Sequence, residues 1–389
     1  MHSRYLLKNF KYGSTLQNIE MIFDCDREPH HPSCFYLFNL KCVRHAADNT
    51  CASQCNQIKQ FLDFLEQLEI GLEHVSTEVV QKYLFGYLFK KKKLQASTIK
   101  IHSTTLFSFF KFCFERCFIS ERVIYFSVFT DEYVESQQTY AELALEIKDL
   151  YMTNSDIKLL CEHVSGNSDF IRKRNRLAMM FGYYAGLRTS DVASNPLLTV
   201  AYFKRCIPNV LEGGELPISL DISYINKKSS KKVSLNIEFA LISAIHDFIY
   251  DANIQDKLTS NTPLICQENG SALNDDRFAS RKFSEAVENL IAAGNINNSE
   301  VKKWRKRHFH ICRKCFATNK VVWCREQGLP PSIIVRDYLG HADFGTSIKH
   351  YIYADWLLNQ HNNKEYLTFL TADETSLGRK FMKKSAIEM

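Results

Sequence analysis

No apolar run in this 389-residue sequence is long enough to cross a bilayer. The densest, Leu106 to Phe118, is interrupted by Lys111, Glu115 and Arg116, whereas a spanning helix needs about 20 apolar residues. Met1-His2-Ser3-Arg4-Tyr5 is followed by no stretch resembling a secretory leader. Thirteen Cys is an odd number without framework-like spacing, so reduced thiols and a cytoplasmic location are expected, nucleoid-associated in a bacterium. The pair Cys312 and Cys315 has no second CxxC to complete a zinc site; four ligands are the rule there, so no metal or other cofactor is expected. Internal repeats and low-complexity tracts are also missing. A soluble chain with substantial cores is left, at 45% hydrophobic and 24% charged residues. Its length suits two or three domains.

The net charge of +6 is mild, but it is clustered. Lys90-Lys91-Lys92-Lys93, Lys227 to Lys232 and Lys302 to His308 form three basic blocks. One such block is ordinarily solvated surface; three favour phosphate contact.

Periodicity divides the chain. Residues 1–44 read as a lead-in, with a strand candidate at Asn18 to Asp24 and Pro29 and Pro32 opposing any helix. Residues 45–135 are helical. Ile58, Phe61, Leu62 and Leu65 repeat at the helical period, then Val80, Tyr83, Leu84 and Leu88, then Leu106, Phe109, Phe110 and Cys113. Gly71 is placed to end the first of these helices and Thr77 to cap the second. The phenylalanine stripe reads as bundle core. Residues 136–152 are a polar linker. A further domain, 153–389, opens at Thr153-Asn154-Ser155-Asp156, a capping-box pattern with Asp in place of Glu. Between Leu216 and Ile237 the period becomes two, around Asn226 to Lys232, which predicts a β-hairpin with a basic tip. The fold expected is mainly α with a small β-sheet.

The chemistry lies in a series of short motifs. Arg188 follows Gly186, a natural helix C-terminus, with Asp191 placed to orient its guanidinium. His310 and Arg313 are three apart and share a helix face. His341 follows Gly340, and Tyr351 lies ten residues beyond it, with Tyr353 in reserve. Two arginines can clamp phosphate oxygens bidentately. Histidines can donate a hydrogen bond or shuttle a proton. A tyrosine, with an ordinary pKa of about 10, becomes a nucleophile where cations stabilise its phenolate. A lysine at the hairpin tip can protonate a departing oxygen; Lys228 is the candidate, with Lys227 its rival. No carboxylate cluster of the kind that holds two metals accompanies these residues. The set fits cleavage of a phosphodiester through covalent phosphotyrosine.

These motifs resemble the tyrosine recombinases, the phage-integrase-like site-specific recombinases. Ala185-Gly186-Leu187-Arg188-Thr189-Ser190-Asp191 is similar to the first arginine box, and Asn226 to Val233 to the lysine hairpin. His310-Ile311-Cys312-Arg313 is similar to the second box, and Leu339-Gly340-His341 through Tyr351 to the last histidine and nucleophile. Cys312, Cys315 and the stretch Asn195 to Gly214 depart from the usual pattern. The resemblance implies catalytic Arg188, Lys228, His310, Arg313, His341 and Tyr351. It implies a helical core-binding domain and a catalytic domain forming a C-shaped clamp on double-stranded DNA recombination sites. Lys90, Lys91, Lys92, Lys93, Ser97, Thr98, Lys100, Lys231 and Lys232 are the candidate DNA contacts. Partners would be further copies of the chain, a dimer per site and a tetramer on two, with accessory DNA-bending or directionality factors. The tail with Trp356, Leu357, Leu358, Tyr366 and Phe369 is a candidate for docking on a neighbouring subunit. Alternative readings of the same residues are a type IB topoisomerase and a non-catalytic DNA-binding accessory protein.

Overall fold

The computed structural model describes residues 1–123, 149–228, 230–259, 261–294 and 296–340. His341, Tyr351, Tyr353, the tail beyond them and most of the polar linker lie outside the described residues. The chain divides into two compact units, Met1–Thr139 and Tyr140–Met389. Among the described residues no helix is long and apolar enough to cross a membrane.

The first unit opens with an antiparallel hairpin, β1 (Ser3–Tyr12) and β2 (Thr15–Phe23). β2 covers the expected strand from Asn18 to Phe23, stopping short of Asp24 and starting earlier, at Thr15; β1 is an addition to it, exposed along nearly its whole length and without burial alternation. The hairpin is anchored through polar contacts. Arg4 forks onto the buried Glu20 carboxylate with N–O distances of 2.7 and 2.6 Å. His2 donates its backbone amide to Asp63 at 2.7 Å. Asp63 lies on the long helix α2 (Asp48–Gln67).

Pro32 starts a helix, where the sequence pattern has it oppose one: it sits in the first turn of α1 (His31–Phe38). There proline has no amide bond to lose and its φ is already helical. Two more helices follow, α3 (Thr77–Gln81), which continues as π-helix to Lys91, and α4 (Ala96–Glu115). Ser76, one residue before Thr77, is the side-chain cap of α3. α2 stops at Gln67, ahead of Gly71, and Glu69 takes the left-handed backbone there. Tyr36, Leu37 and Leu40 from the lead-in share one core with Phe61, Leu65, Tyr83, Leu106 and Phe109. Residues on both sides of the expected boundary near 44 therefore bury each other.

The second unit begins at α5 (Asn154–Glu162), where the Thr153–Asp156 capping box forms with both reciprocal bonds. It continues through α6 (Asp169–Tyr184), α7 (Thr189–Val192) and α8 (Val200–Cys206) to a second hairpin, β3 (Ser219–Asn226) and β4 (Lys231–Glu238). Lys231 and Lys232 belong to β4, paired with Asn226 and Ile225, so the turn is shorter than the basic block. Then come α9 (Phe239–Ile249), α10 (Phe278–Ala292), α11 (Asn298–Lys306), α12 (Phe309–Glu326) and α13 (Pro331–Leu339). One core unites them, with Phe181, Leu187, Tyr224, Ile245, Phe283 and Cys312 among its buried members.

Candidate active site

Two glycines shape the ground on which the candidate residues meet. Gly186 ends α6 with φ +63°, and a Cβ there would lie 2.4 Å from the Phe316 ring on α12. Gly340 ends α13 with φ +59°, and its Cβ would lie 2.9 Å from Val233 and 3.0 Å from Asn226. Both positions need the left-handed backbone and have no room for a side chain. The first motif is thereby pressed onto the second, and the approach to His341 onto the hairpin.

Arg313 ties these turns together. Its side chain is fully buried, and its two Nη atoms donate to the carbonyls of Gly186 and Leu339. Two of the five guanidinium donors are thus committed to backbone. A single buried cation fixes the turn before Arg188 and the turn before His341.

Arg188 is the N-cap residue of α7, and Asp191 sits one turn later. The Arg188 guanidinium is partly exposed and its Nη1 lies 3.8 Å from Oδ2 of the fully buried Asp191. Neither of those atoms has a hydrogen-bond partner among the described residues. The other carboxylate oxygen of Asp191 accepts from the Lys227 amide at 2.9 Å. Asp191 therefore faces the arginine on one side and holds the hairpin tip on the other. The motif spacing suggests the first of these roles; the bond to the hairpin is not legible in it.

At the tip, the Lys227 ammonium is paired with Asp276 at 3.2 Å. Lys228 has its backbone amide bonded to Asn226 Oδ1 at 3.1 Å, and its side chain is exposed with no hydrogen bond or ion pair among the described residues. Of the two rivals, Lys228 is the one whose ammonium is uncommitted among the described residues.

His310 lies in the first turn of α12, three residues before Arg313. Burial, followed by the charges of Arg313, Lys314, His308 and Arg188, pushes its pKa down to about 3. It is neutral at pH 7 and offers one donor and one acceptor nitrogen. His308 runs parallel to it, ring centroids 6.3 Å apart. Tyr224, on β3, joins the site without a signal in the sequence, where it is one member of an alternating strand. Its phenol is buried beside Arg313, Asp191 and Arg188, and burial raises its pKa.

The CxxC is packed as core. Cys312 and Cys315 are buried on α12, and Cys315 Sγ accepts from the Met152 amide at 3.3 Å. Burial pushes the Cys315 thiol up to about 12. Among the described residues, the His, Cys and carboxylate side chains close enough to share an ion are His2, Asp63 and Glu66, far along the chain from this motif.

In the first unit, Lys90, Lys91, Lys92, Lys93, Ser97 and Thr98 are exposed, and Lys100 is half-buried. Lys90 lies over the Phe85 ring, and Lys91 and Lys92 lie near Tyr87. Lys231 and Lys232 are exposed on β4.

Comparison with known proteins gives the arrangement its context. The model of the phage integrase family matches residues 151–356, and that of the phage integrase N-terminal SAM-like domain matches residues 35–116. Curated proteins yield no match. Among solved structures, the chain resembles the XerH site-specific recombinase in its post-cleavage complex with a palindromic difH substrate. That likeness has 18% identity and a TM-score of 0.55, over 84% of this chain and 81% of the other. The XerH pre-cleavage complex with difH matches at 17% identity and a TM-score of 0.52, over 85% and 84%. A lambda integrase tetramer bound to a Holliday junction matches at 15% identity and 0.50, over 81% and 74%. The structural likenesses establish the fold, and the family match covers more than half of the sequence: the chain belongs to the phage integrase family of tyrosine recombinases.

Proposed function

We propose that this protein is a site-specific recombinase that cuts and rejoins duplex DNA through a 3′-phosphotyrosine, in the integration or excision of a mobile element. The observation that carries the reading is Arg313, whose buried guanidinium links the turn before Arg188 to the turn before His341. In this reading such a link preorganises positive charge around one phosphate, and preorganised charge is usually the largest single contribution to catalysis of this kind.

In this reading Arg188 clamps the scissile phosphate and Arg313 stabilises its growing negative charge. The Tyr351 oxygen bonds to phosphorus as the bond from phosphorus to the 5′ oxygen breaks. The phenolic proton passes to a neutral histidine, His310 or His341. Lys228 gives a proton to the departing 5′ oxygen. The ester bond energy is kept in the phosphotyrosine, so the reverse attack by a 5′ hydroxyl rejoins the strand without ATP. Fixed cations take the part that metal ions play in other nucleases. Asp191, the carboxylate in this group, is already engaged by the Lys227 amide and faces Arg188.

XerH is seen on its difH substrate and lambda integrase as a tetramer on a Holliday junction. By analogy we infer two protomers on each site and four in the exchange complex, with accessory bending or directionality factors. The exposed Lys90 to Lys93 and the start of α4 would hold the DNA backbone.

The test is to trap covalent protein–DNA adducts in cells and sequence the attached DNA. One recurring site, lost in Tyr351→Phe and retained with a chelator present, supports the reading. Scattered adducts indicate a topoisomerase, and adducts unchanged in Tyr351→Phe move the nucleophile elsewhere.

A further inference from the structure

Asn195 makes a connection that neither the motifs nor the family resemblance calls for. It is buried at 1% exposure, just past α7. The chain reaches it through Ser194, a non-glycine residue with φ +50°, whose hydroxyl accepts from the Leu273 amide at 2.5 Å. That left-handed residue turns the chain out of α7, and Pro196 holds Asn195 out of the helical region.

The Asn195 side chain then meets the outer edge of β3. Its Oδ1 accepts from the Ile225 amide at 3.2 Å, and its Nδ2 donates to the Ile225 carbonyl at 2.8 Å. One carboxamide thus satisfies both backbone groups of one strand residue, as a neighbouring strand would. Ile225 sits opposite Lys232 on β4, and among the described residues β3 has no other strand beside it. The same Nδ2 donates to the Asp191 carbonyl at 3.1 Å. Asn195 therefore joins α7, which carries Asp191, to the last residues of β3. Two residues beyond Ile225, the Lys227 amide bonds the Asp191 carboxylate, and Lys228 follows. Asp191 and Asn195 together bond the Arg188 turn to the hairpin.

We infer that Asn195 is a positioning residue for the hairpin lysine: it registers the tip of the β3–β4 hairpin against the Arg188–Asp191 turn, so that the Lys228 ammonium meets the oxygen leaving the phosphate that Arg188 holds. This rests on the reading of Lys228 as the proton donor. Asn195 does not touch the reacting atoms. A misplacement of about 1 Å at a catalytic group costs on the order of 100-fold, so one lost carboxamide is enough to be seen.

The experiment has two arms and uses the full chain. The first needs no DNA: amide hydrogen exchange in Asn195→Ala and in the isosteric Asn195→Asp. Asp retains the acceptor and loses both donors. The expected result is roughly tenfold or greater loss of protection at the Lys227 amide in both variants, with the α6 and α12 amides unchanged. Unchanged protection at Lys227 overturns the inference, as does loss throughout the unit.

The second arm measures single-turnover cleavage of the duplex recovered from the covalent adducts, made with either an ordinary 5′ oxygen or a bridging sulfur at the scissile bond. A thiol has a pKa of about 8.5 and leaves without a donated proton. Lys228→Ala and both Asn195 variants should lose about 10- to 100-fold on the oxygen substrate. All three should recover on sulfur, with DNA affinity unchanged. Recovery of Lys228→Ala alone overturns the role of Asn195. Failure of Lys228→Ala itself to recover overturns the role of the lysine, and that outcome is separate from the first arm.

Discussion

The two units carry their positive charge in opposite ways. In the second, Arg313 is buried with two donors on carbonyls, and Arg188 stands 3.8 Å from a buried carboxylate. In the first, Lys90 to Lys93 are exposed, and the ammonium groups of Lys90, Lys91 and Lys92 lie against the Phe85 and Tyr87 rings. A buried, bonded cation is set to one geometry before substrate arrives. A solvated one adapts to whatever phosphate comes near. The first arrangement suits chemistry at one atom and the second suits attraction to a backbone of many charges.

The largest effect is expected at Arg313. Arg313→Lys keeps the charge, but one ammonium cannot span the Gly186 and Leu339 carbonyls, and each buried group left unpaired costs about 1–3 kcal/mol. Cleavage should fall by about 1,000-fold or more, the scale of losing an electrostatic donor, and the melting temperature should fall with it. A Lys variant with full stability and activity would show that Arg313 contributes charge without geometry.

Replacing Lys90 to Lys93 by Gln should give the reverse pattern. Folding stability stays level, since the four side chains are exposed. Binding weakens alike on all sequences, and the slope of log affinity against log salt flattens by about 0.9 for each phosphate no longer neutralised. Cleavage at saturating protein is unchanged. A drop in cleavage at saturation would place these lysines in the chemistry and erase the contrast.

Tyr224→Phe separates burial from function inside the second unit. Its hydroxyl is buried and has no well-aligned hydrogen-bond partner among the described residues, so removing it should leave stability within about 1 kcal/mol of the parent. Its neighbours are Arg313, Asp191 and Arg188. A drop of about tenfold in cleavage at unchanged affinity is therefore expected, the equivalent of about 1.4 kcal/mol in the transition state. Unchanged cleavage would make Tyr224 simple core.

What could be read from sequence alone follows the range of the interactions. The Thr153–Asp156 capping box, the Leu106–Phe110 stripe and the Gly186 turn depend on residues within four positions of one another, and each is present. The hairpin announced itself through its period. The bond from Asp191 to Lys227, the pairing of Lys227 with Asp276 and the carbonyls bound by Arg313 join residues 26 to 127 positions apart. No local pattern encodes those pairings. The motifs therefore named the candidate cations, but which are locked and which are free emerged only from the fold. β1 escaped for a different reason: a strand exposed on both faces has no hydrophobic alternation to read.

The smallest effect concerns pH, and it too contrasts the units. His30 and His102 in the first unit are pushed down to about 4, both mainly by burial. His310 in the second is pushed down to about 3 by burial and then by four neighbouring charges. In each case the folded pKa lies below the unfolded value of about 6.5, so the unfolded chain takes up the proton first. Stability should be level above pH 7, fall as pH drops below about 6.5, and go on falling until the folded pKa is passed. His102→Gln and His310→Gln should each flatten the fall between about pH 6 and 4, measured by denaturant melts. DNA should alter only one of them. A bound phosphodiester neutralises the cations that depress His310, raising its pKa toward the ordinary range and making part of its slope dependent on DNA. The burial that depresses His102 is untouched by phosphate, so its slope should be the same with and without DNA. Equal responses of the two histidines to DNA would mean that the cations around His310 do not face the phosphate.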